Sequence, residues 1–129
     1  MKKPKKKKVN LTSLCKKADK LFSEHWRKRL GKCERCGKRE NLQLAHIVTR
    51  SCRFLRFKRH NTFVLCAGCH LWGHRYPLLF ADFVKENKTQ GVVDLLNKQI
   101  TEKMKTTPAK FYQSVIDDIQ ECNKKRLEL

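Results

Sequence analysis

Two stretches, CERCG at residues 33–37 and CAGCH at residues 66–70, decide how this chain folds. Each contains a C-x-x-C pair, and 29 residues separate Cys36 from Cys66. A two-residue spacer lets both sulfurs of a pair turn toward one ion, and two pairs complete the tetrahedral sulfur shell that structural Zn²⁺ prefers. A redox dithiol is the alternative, but doubled pairs with neighbouring glycines favour metal. We therefore expect Cys33, Cys36, Cys66 and Cys69 to hold a structural zinc ion in a closed shell.

The charge balance indicates a polyanionic partner. Lys and Arg total 31 against 12 Asp and Glu, a formal net charge of +19. Nucleic acid is the commonest partner that neutralises such a charge, and a merely solvated basic surface or an RNA-packaging protein is the alternative. The sequence has no apolar run of about 18 residues and no signal segment, so we expect no membrane span and a cytoplasmic protein with reduced cysteines.

Hydrophobic periodicity and turn residues predict an α+β fold. Residues 1–12 are expected to form a disordered basic tail, which could also serve as a nuclear import signal. Residues 13–129 are expected to form one domain, with a helix from Ser13 to Leu30 capped by Thr12 or Ser13. A small core follows at about residues 33–75, in the order strand (42–48), long basic loop, strand (62–65) and helix, and then a helical extension at about residues 77–126.

Three segments within this core carry a family resemblance. CERCG (33–37), LAHI (44–47) and HNTFVLCAGCH (60–70) together resemble the zinc-containing branch of the HNH endonucleases, also called His-Me finger or ββα-metal nucleases. The match covers about residues 33–74, with every cysteine of the two pairs in register. The segment HRYPLLF (74–80) is also similar to phage HNH proteins, including recombination endonucleases of the NinG/Rap type.

The resemblance implies an enzyme that hydrolyses phosphodiester bonds with one catalytic metal ion. His46 would be the general base, and Asn61 would fix the His46 ring by a hydrogen bond. His70 would bind the catalytic divalent ion, which could be Mg²⁺, Mn²⁺, Ni²⁺ or Zn²⁺. His74 lies one helical turn further on and is the second candidate ligand. Branched or nicked DNA in phage recombination or replication would be the substrate.

One position departs from the family pattern. Many HNH enzymes carry Asp or His immediately before the general base, as a metal ligand, whereas this chain has Ala45. Alanine cannot ligate, so His74, waters and phosphate oxygens would have to complete the ion's shell. Two alternatives stay open: His70 could ligate zinc in place of a cysteine, and Asn61 could be only a turn residue before a strand. No motif claims His25 or His60.

The basic loop supplies the candidate DNA contacts. Residues 50–59 interleave cations with Phe54, Leu55 and Phe57. Phe54 and Phe57 could pack the loop onto the body, or their rings could stack on unpaired bases. The cations expected to contact DNA are Arg50, Arg53, Arg56, Lys58 and Arg59 of this loop, together with Arg75. Because such contacts go mainly to phosphates, binding should weaken steeply with salt.

Two other functions compete with the nuclease. A non-catalytic zinc module that binds DNA or RNA on the same scaffold is favoured by Ala45. A ribosome-associated basic protein is the remoter alternative. The family resemblance implies a phage-infected or bacterial host cell, and it leaves open a homodimer or a phage replication or packaging partner.

Overall fold

The computed structural model describes residues 2–4, 8 and 10–127, without the side chains of the last two. They form two compact units, and the boundary falls inside the first helix. One unit comprises residues 1–22 and 106–129, and the other comprises residues 23–105. The fold is α+β, as predicted: the described residues contain six α-helices and one two-stranded antiparallel sheet. The prediction of one domain over residues 13–129 stays a prediction.

The first unit contains the start of helix α1 (Leu11–Leu30) and helix α6 (Pro108–Leu127). The Asn10 side chain caps α1 by accepting a hydrogen bond from Ser13 N at 3.2 Å, so the predicted cap at Thr12 or Ser13 is wrong. The basic tail therefore ends two residues earlier than predicted. Its expected disorder falls largely on residues 1, 5–7 and 9, which lie outside the described residues.

The end of α1 and the start of α6 agree with the sequence signals. Gly31 follows α1 with a φ of +66°, the left-handed conformation that commonly ends helices, and its N–H donates to the Arg27 carbonyl. Thr107 caps α6 by accepting from Lys110 N at 3.3 Å, and Pro108 is its first residue. Local capping chemistry sets both boundaries.

The second unit contains the sheet and the predicted strand, loop, strand and helix order. Strand β1 (Leu42–His46) pairs with strand β2 (Thr62–Cys66), with Leu42 opposite Cys66 and His46 opposite Thr62. Helix α3 (Ala67–Arg75) begins directly after β2, and the Cys66 sulfur caps it by accepting from Cys69 N. Helices α4 (Pro77–Asn87) and α5 (Gln90–Gln99) follow.

The basic stretch between the strands is more ordered than the predicted loop. It forms helix α2 (Arg53–Arg56) and a 3₁₀ turn at Arg59–Asn61. Leu55 and Phe57 are buried, and this burial holds the stretch against the body of its unit. β1 is also two residues shorter than predicted, since Asn61 takes over the hydrogen bonding of Ile47 and Val48.

An apolar cluster backs the sheet and positions α3. Its buried members include residues from both strands, from the cysteine pairs and from α4, namely Ala45, Phe63, Leu65, Phe83 and Val84 with three of the cysteines. Phe63 and Phe83 lie with ring centroids 4.8 Å apart. The cluster therefore places the second cysteine pair and the histidines of α3 beside the sheet.

Candidate active site and metal centre

The four predicted cysteines come together in one cluster. Their sulfurs all lie within 4.8 Å of one another, and the Cys36 and Cys66 sulfurs are 3.7 Å apart. Four sulfurs about 2.3 Å from a tetrahedral Zn²⁺ would stand ~3.8 Å apart, so this spacing suits such an ion. Among the described residues, it is the only group of three or more potential ligand side chains close enough to share an ion. The cluster is compatible with a bound structural metal such as zinc.

Burial and hydrogen bonds act in opposite directions on the pKa values of the cysteine thiols. Cys36 N donates to the Cys33 sulfur at 3.5 Å, and Cys69 N donates to the Cys66 sulfur at 3.4 Å. Burial raises the pKa of Cys33, but hydrogen bonds from the surrounding backbone outweigh it and lower that pKa to about 6. Burial raises the pKa of Cys69 to about 12. A bound cation would favour the thiolate form of all four.

Arg35, between the cysteines of the first pair, braces the second pair. Its Nη1 lies 3.4 Å from the Cys69 sulfur, and its guanidinium carbon lies 3.6 Å from the centroid of the Trp72 ring. Such a contact combines a charge-assisted hydrogen bond with a cation–π interaction. The cluster is therefore tied to α3 through a side chain as well as through its own sulfurs.

His70 and His74 form a pair on α3. Their Nε2 atoms are 3.1 Å apart, and their ring centroids are 4.8 Å apart. Two imidazole nitrogens bound to one ion at about 2.0–2.1 Å stand roughly 3 Å apart, so the pair already has the spacing of two ligands on one metal. The one-turn separation predicted from the sequence is confirmed as a close approach of the two rings.

Gln43 on β1 orients His70. Its Oε1 lies 2.8 Å from His70 Nδ1. An amide oxygen only accepts, so His70 Nδ1 carries the proton and Nε2 offers a lone pair toward His74. Burial lowers the pKa of His70, and the neighbouring His74, His46 and Arg50 lower it further. His70 is therefore kept in the neutral form that binds metals.

His46 is the last residue of β1 and lines the same cleft as the pair. Its Nε2 lies 2.8 Å from the Arg56 carbonyl oxygen. Because that oxygen can only accept, Nε2 donates to it and carries the proton. His46 does not form a three-ligand group with His70 and His74.

Asn61 holds the backbone around His46 rather than its ring. The side chain is fully buried; Oδ1 accepts from Val48 N at 2.8 Å, and Nδ2 donates to the Val48 and Leu55 carbonyls at 3.1 Å each. Both amide N–H bonds of Asn61 are thus used on backbone carbonyls. The predicted direct bond is replaced by an indirect effect, because Leu55 precedes the carbonyl that holds His46.

The side chains predicted to contact DNA differ in their exposure to solvent. Arg50, Arg53 and Arg75 are exposed, whereas Arg56, Lys58 and Arg59 are half-buried. Arg59 Nη2 forms an ion pair with Glu34 at 2.8 Å, and its Nη1 donates to the backbone of Thr62. Arg59 therefore braces β2, and its contact with DNA stays a prediction.

Ala45 and Phe57, which the sequence singled out, are both buried. Ala45 is buried and belongs to the apolar cluster, so it offers no ligand and fills the core. Phe57 is also buried, in agreement with packing of the basic loop. Sequence patterns assign no role to Gln43, the Arg56 carbonyl or Arg35, because their partners lie 27, 10 and 34 residues away along the chain.

Comparison with protein-family models, with curated proteins and with solved structures found no significant match. No helix in the described part of the chain is both long and apolar enough to cross a membrane.

Proposed function

We propose that this protein is a metal-dependent DNA endonuclease of the HNH type. The observation that carries the proposal is the meeting of His46 and the His70–His74 pair in one cleft. Phosphodiester hydrolysis needs a base for the attacking water and a cation at the scissile phosphate. The cysteine cluster would hold a structural zinc ion outside this chemistry.

Each residue of the cleft has a distinct part in the proposed reaction. A divalent ion bound by His70 and His74 would supply positive charge for the scissile phosphate and the leaving oxygen. His46 would accept the proton of the attacking water, and the Arg56 carbonyl orients its ring through Nε2. Gln43 holds the His70 ring through Nδ1, which would leave Nε2 to bind the ion. Waters and phosphate oxygens would have to supply its other ligands.

The charge of the chain supports DNA as the substrate. The net charge is +19, and Arg50 and Arg53 are exposed on the segment that ends at the Arg56 carbonyl. Cations there would contact phosphates and steer the strand toward the cleft. The phage kinship implied by the sequence makes recombination or replication the proposed setting.

A non-catalytic zinc module is the second candidate. It is favoured by Ala45, which is buried and offers no ligand, so that the cleft supplies only two histidine ligands. In that case the histidine pair would be a surface feature and the basic loop would bind nucleic acid without cleaving it.

Nicking of supercoiled plasmid with Mg²⁺, Mn²⁺, Ni²⁺ or Zn²⁺ separates the two candidates. The nuclease proposal expects metal-dependent nicking that His46→Ala abolishes while DNA binding and bound structural zinc are unchanged. His60→Ala is the matched control, since His60 bonds to Gln99 on α5 and has no part in the proposed reaction. Nicking that survives His46→Ala would reject the mechanism, and nicking with none of the four metals would favour the non-catalytic module.

A further inference from the structure

A largely apolar cavity adjoins the three histidines of the cleft. Its volume is about 480 Å³, within the range of about 300–1,000 Å³ typical of ligand sites. His46, His70 and His74 line one part of it, and Pro77, Phe80 and Val84 line another. Such a cavity is not needed for binding metal or activating water.

The apolar wall lies directly against the helix of the histidine pair. Gly73 precedes His74 on α3, and a Cβ atom at Gly73 would stand 3.0 Å from the Phe80 ring. The missing side chain therefore lets the Phe80 ring approach α3 closely. The apolar surface therefore starts at Gly73, next to the proposed metal ligand His74.

Intact duplex DNA could not fill this space. It offers a protein phosphates, sugars and the edges of bases in the grooves, while the faces of its bases are stacked on one another. An unpaired nucleotide has a free base face, which prefers an apolar or aromatic surface. Lys85, which is exposed and also lines the cavity, adds a cation for a neighbouring phosphate.

We propose that this cavity receives the base of an unpaired DNA nucleotide next to the phosphate bound at His70 and His74. The preferred substrate is then a single strand, flap or branch point rather than continuous duplex. This inference rests on the proposed nuclease function for the position of the phosphate, but base binding can be measured without cleavage.

The test compares two strands that differ only in their bases. One is an oligothymidylate of about twelve nucleotides, and the other has the same backbone with abasic residues. Both carry the same phosphates, so the counterion-driven part of binding is matched. Fluorescence anisotropy with the zinc-loaded full chain should show roughly tenfold tighter binding of the strand with bases, the scale of one stacked base.

Two variants reduce the cavity from different sides without touching a histidine. Ala81→Leu adds bulk to the lining from α4, and Gly73→Ala adds a methyl group to the lining from α3, 3.0 Å from the Phe80 ring. Each should bring the ratio of the two affinities to within about threefold of unity, the loss expected when stacking is removed. Ala67→Leu is the matched control: Ala67 is exposed on α3 and does not line the cavity, so the wild-type ratio should persist.

Cleavage gives an independent measurement. On a labelled duplex with a single-stranded flap, wild type should cut in or beside the unpaired arm, and cut a fully paired duplex about tenfold more slowly. Equal affinity of wild type for the two strands, or a ratio unchanged in both cavity variants, would overturn the inference while leaving His46-dependent nicking intact. Conversely, a ratio lost in both variants without nicking by any metal would support the base site and reject the nuclease.

Discussion

Replacing Asn61 by alanine should loosen the segment that holds His46. The side chain makes three hydrogen bonds to the buried or half-buried backbone of Val48 and Leu55. Each such bond contributes about 1 kcal/mol net, and an unsatisfied buried group costs about 1–3 kcal/mol. Water can reach part of this half-buried segment, so we expect Asn61→Ala to lower the free energy of unfolding by about 3 kcal/mol in all.

Asn61→Ala should also slow the proposed hydrolysis, through its effect on the position of His46. Without Asn61, the Leu55 carbonyl is released, and the adjoining Arg56 carbonyl no longer fixes the His46 ring. A misplacement of about 1 Å in a catalytic group can cost about 100-fold in rate. We therefore expect nicking to fall by about that factor while structural zinc remains bound.

Urea denaturation and amide hydrogen exchange of the zinc-loaded protein measure both effects. The Val48 amide donates to Asn61 and should lose protection, whereas the Val64 amide donates to Glu34 at 2.7 Å and should keep it. Asn87→Ala is the control, because Asn87 is exposed and makes one bond within α4; it should change stability by less than about 0.5 kcal/mol. A Val48 amide as protected in Asn61→Ala as in wild type would refute this account of Asn61.

Three other perturbations have defined outcomes. Chelation of a metal in the cysteine cluster, or Cys36→Ser, should lower the free energy of unfolding by at least about 5 kcal/mol, measured by calorimetry. Cys52→Ser is the control, because Cys52 lies outside the cluster, and it should lower the free energy of unfolding by about 1 kcal/mol or less. Equal effects of Cys36→Ser and Cys52→Ser would exclude a metal role for the cluster. In the metal-free protein, His70 should titrate below its ordinary pKa of 6.5 because burial disfavours its charged form, so stability should fall as pH decreases below 6.5 and level off below the folded-state pKa. Urea titrations of wild type and His70→Gln between about pH 5 and 8 check this, and identical pH dependences would contradict it. Glu34→Ala should lower the free energy of unfolding by about 1–2 kcal/mol in the same titrations, mainly because the hydrogen bond from Val64 N is lost. The ion pair with Arg59 contributes less, because its side chains are about a quarter exposed to solvent. A loss below about 0.3 kcal/mol would contradict this expectation.

Local signals predicted the parts of the fold that local chemistry controls. The cysteine pairs, the end of α1 at Gly31 and the start of α6 after Thr107 all follow from short-range residue patterns. The start of α1 was missed because Asn10 follows a run of lysines that indicated a tail. The division inside α1 has no local signal, since the helix continues through it.

The candidate site was less predictable, because tertiary contacts decide the role of each group. The spacing of His70 and His74 follows from helix geometry, and their close approach was predicted. The hydrogen bond between Gln43 and His70 joins residues 27 positions apart, so no local pattern indicates it. The bond that holds His46 goes to a backbone carbonyl, and because every residue has one, the sequence does not mark it. Side-chain identity alone therefore could not separate the indirect role of Asn61 from the direct one that the resemblance implies.

The cysteine cluster and the candidate site depend on the same strand register. Gln43 lies opposite Leu65, and the adjoining pair, Leu42 and Cys66, brings a cysteine of the cluster to the end of the sheet. A slip of one residue would turn Gln43 to the other face and separate it from His70. Glu34, inside the first cysteine pair, also bonds to both the N–H and the carbonyl of Val64. Removal of a metal bound by the cysteine cluster should therefore loosen this register and, with it, the hydrogen bond between Gln43 and His70.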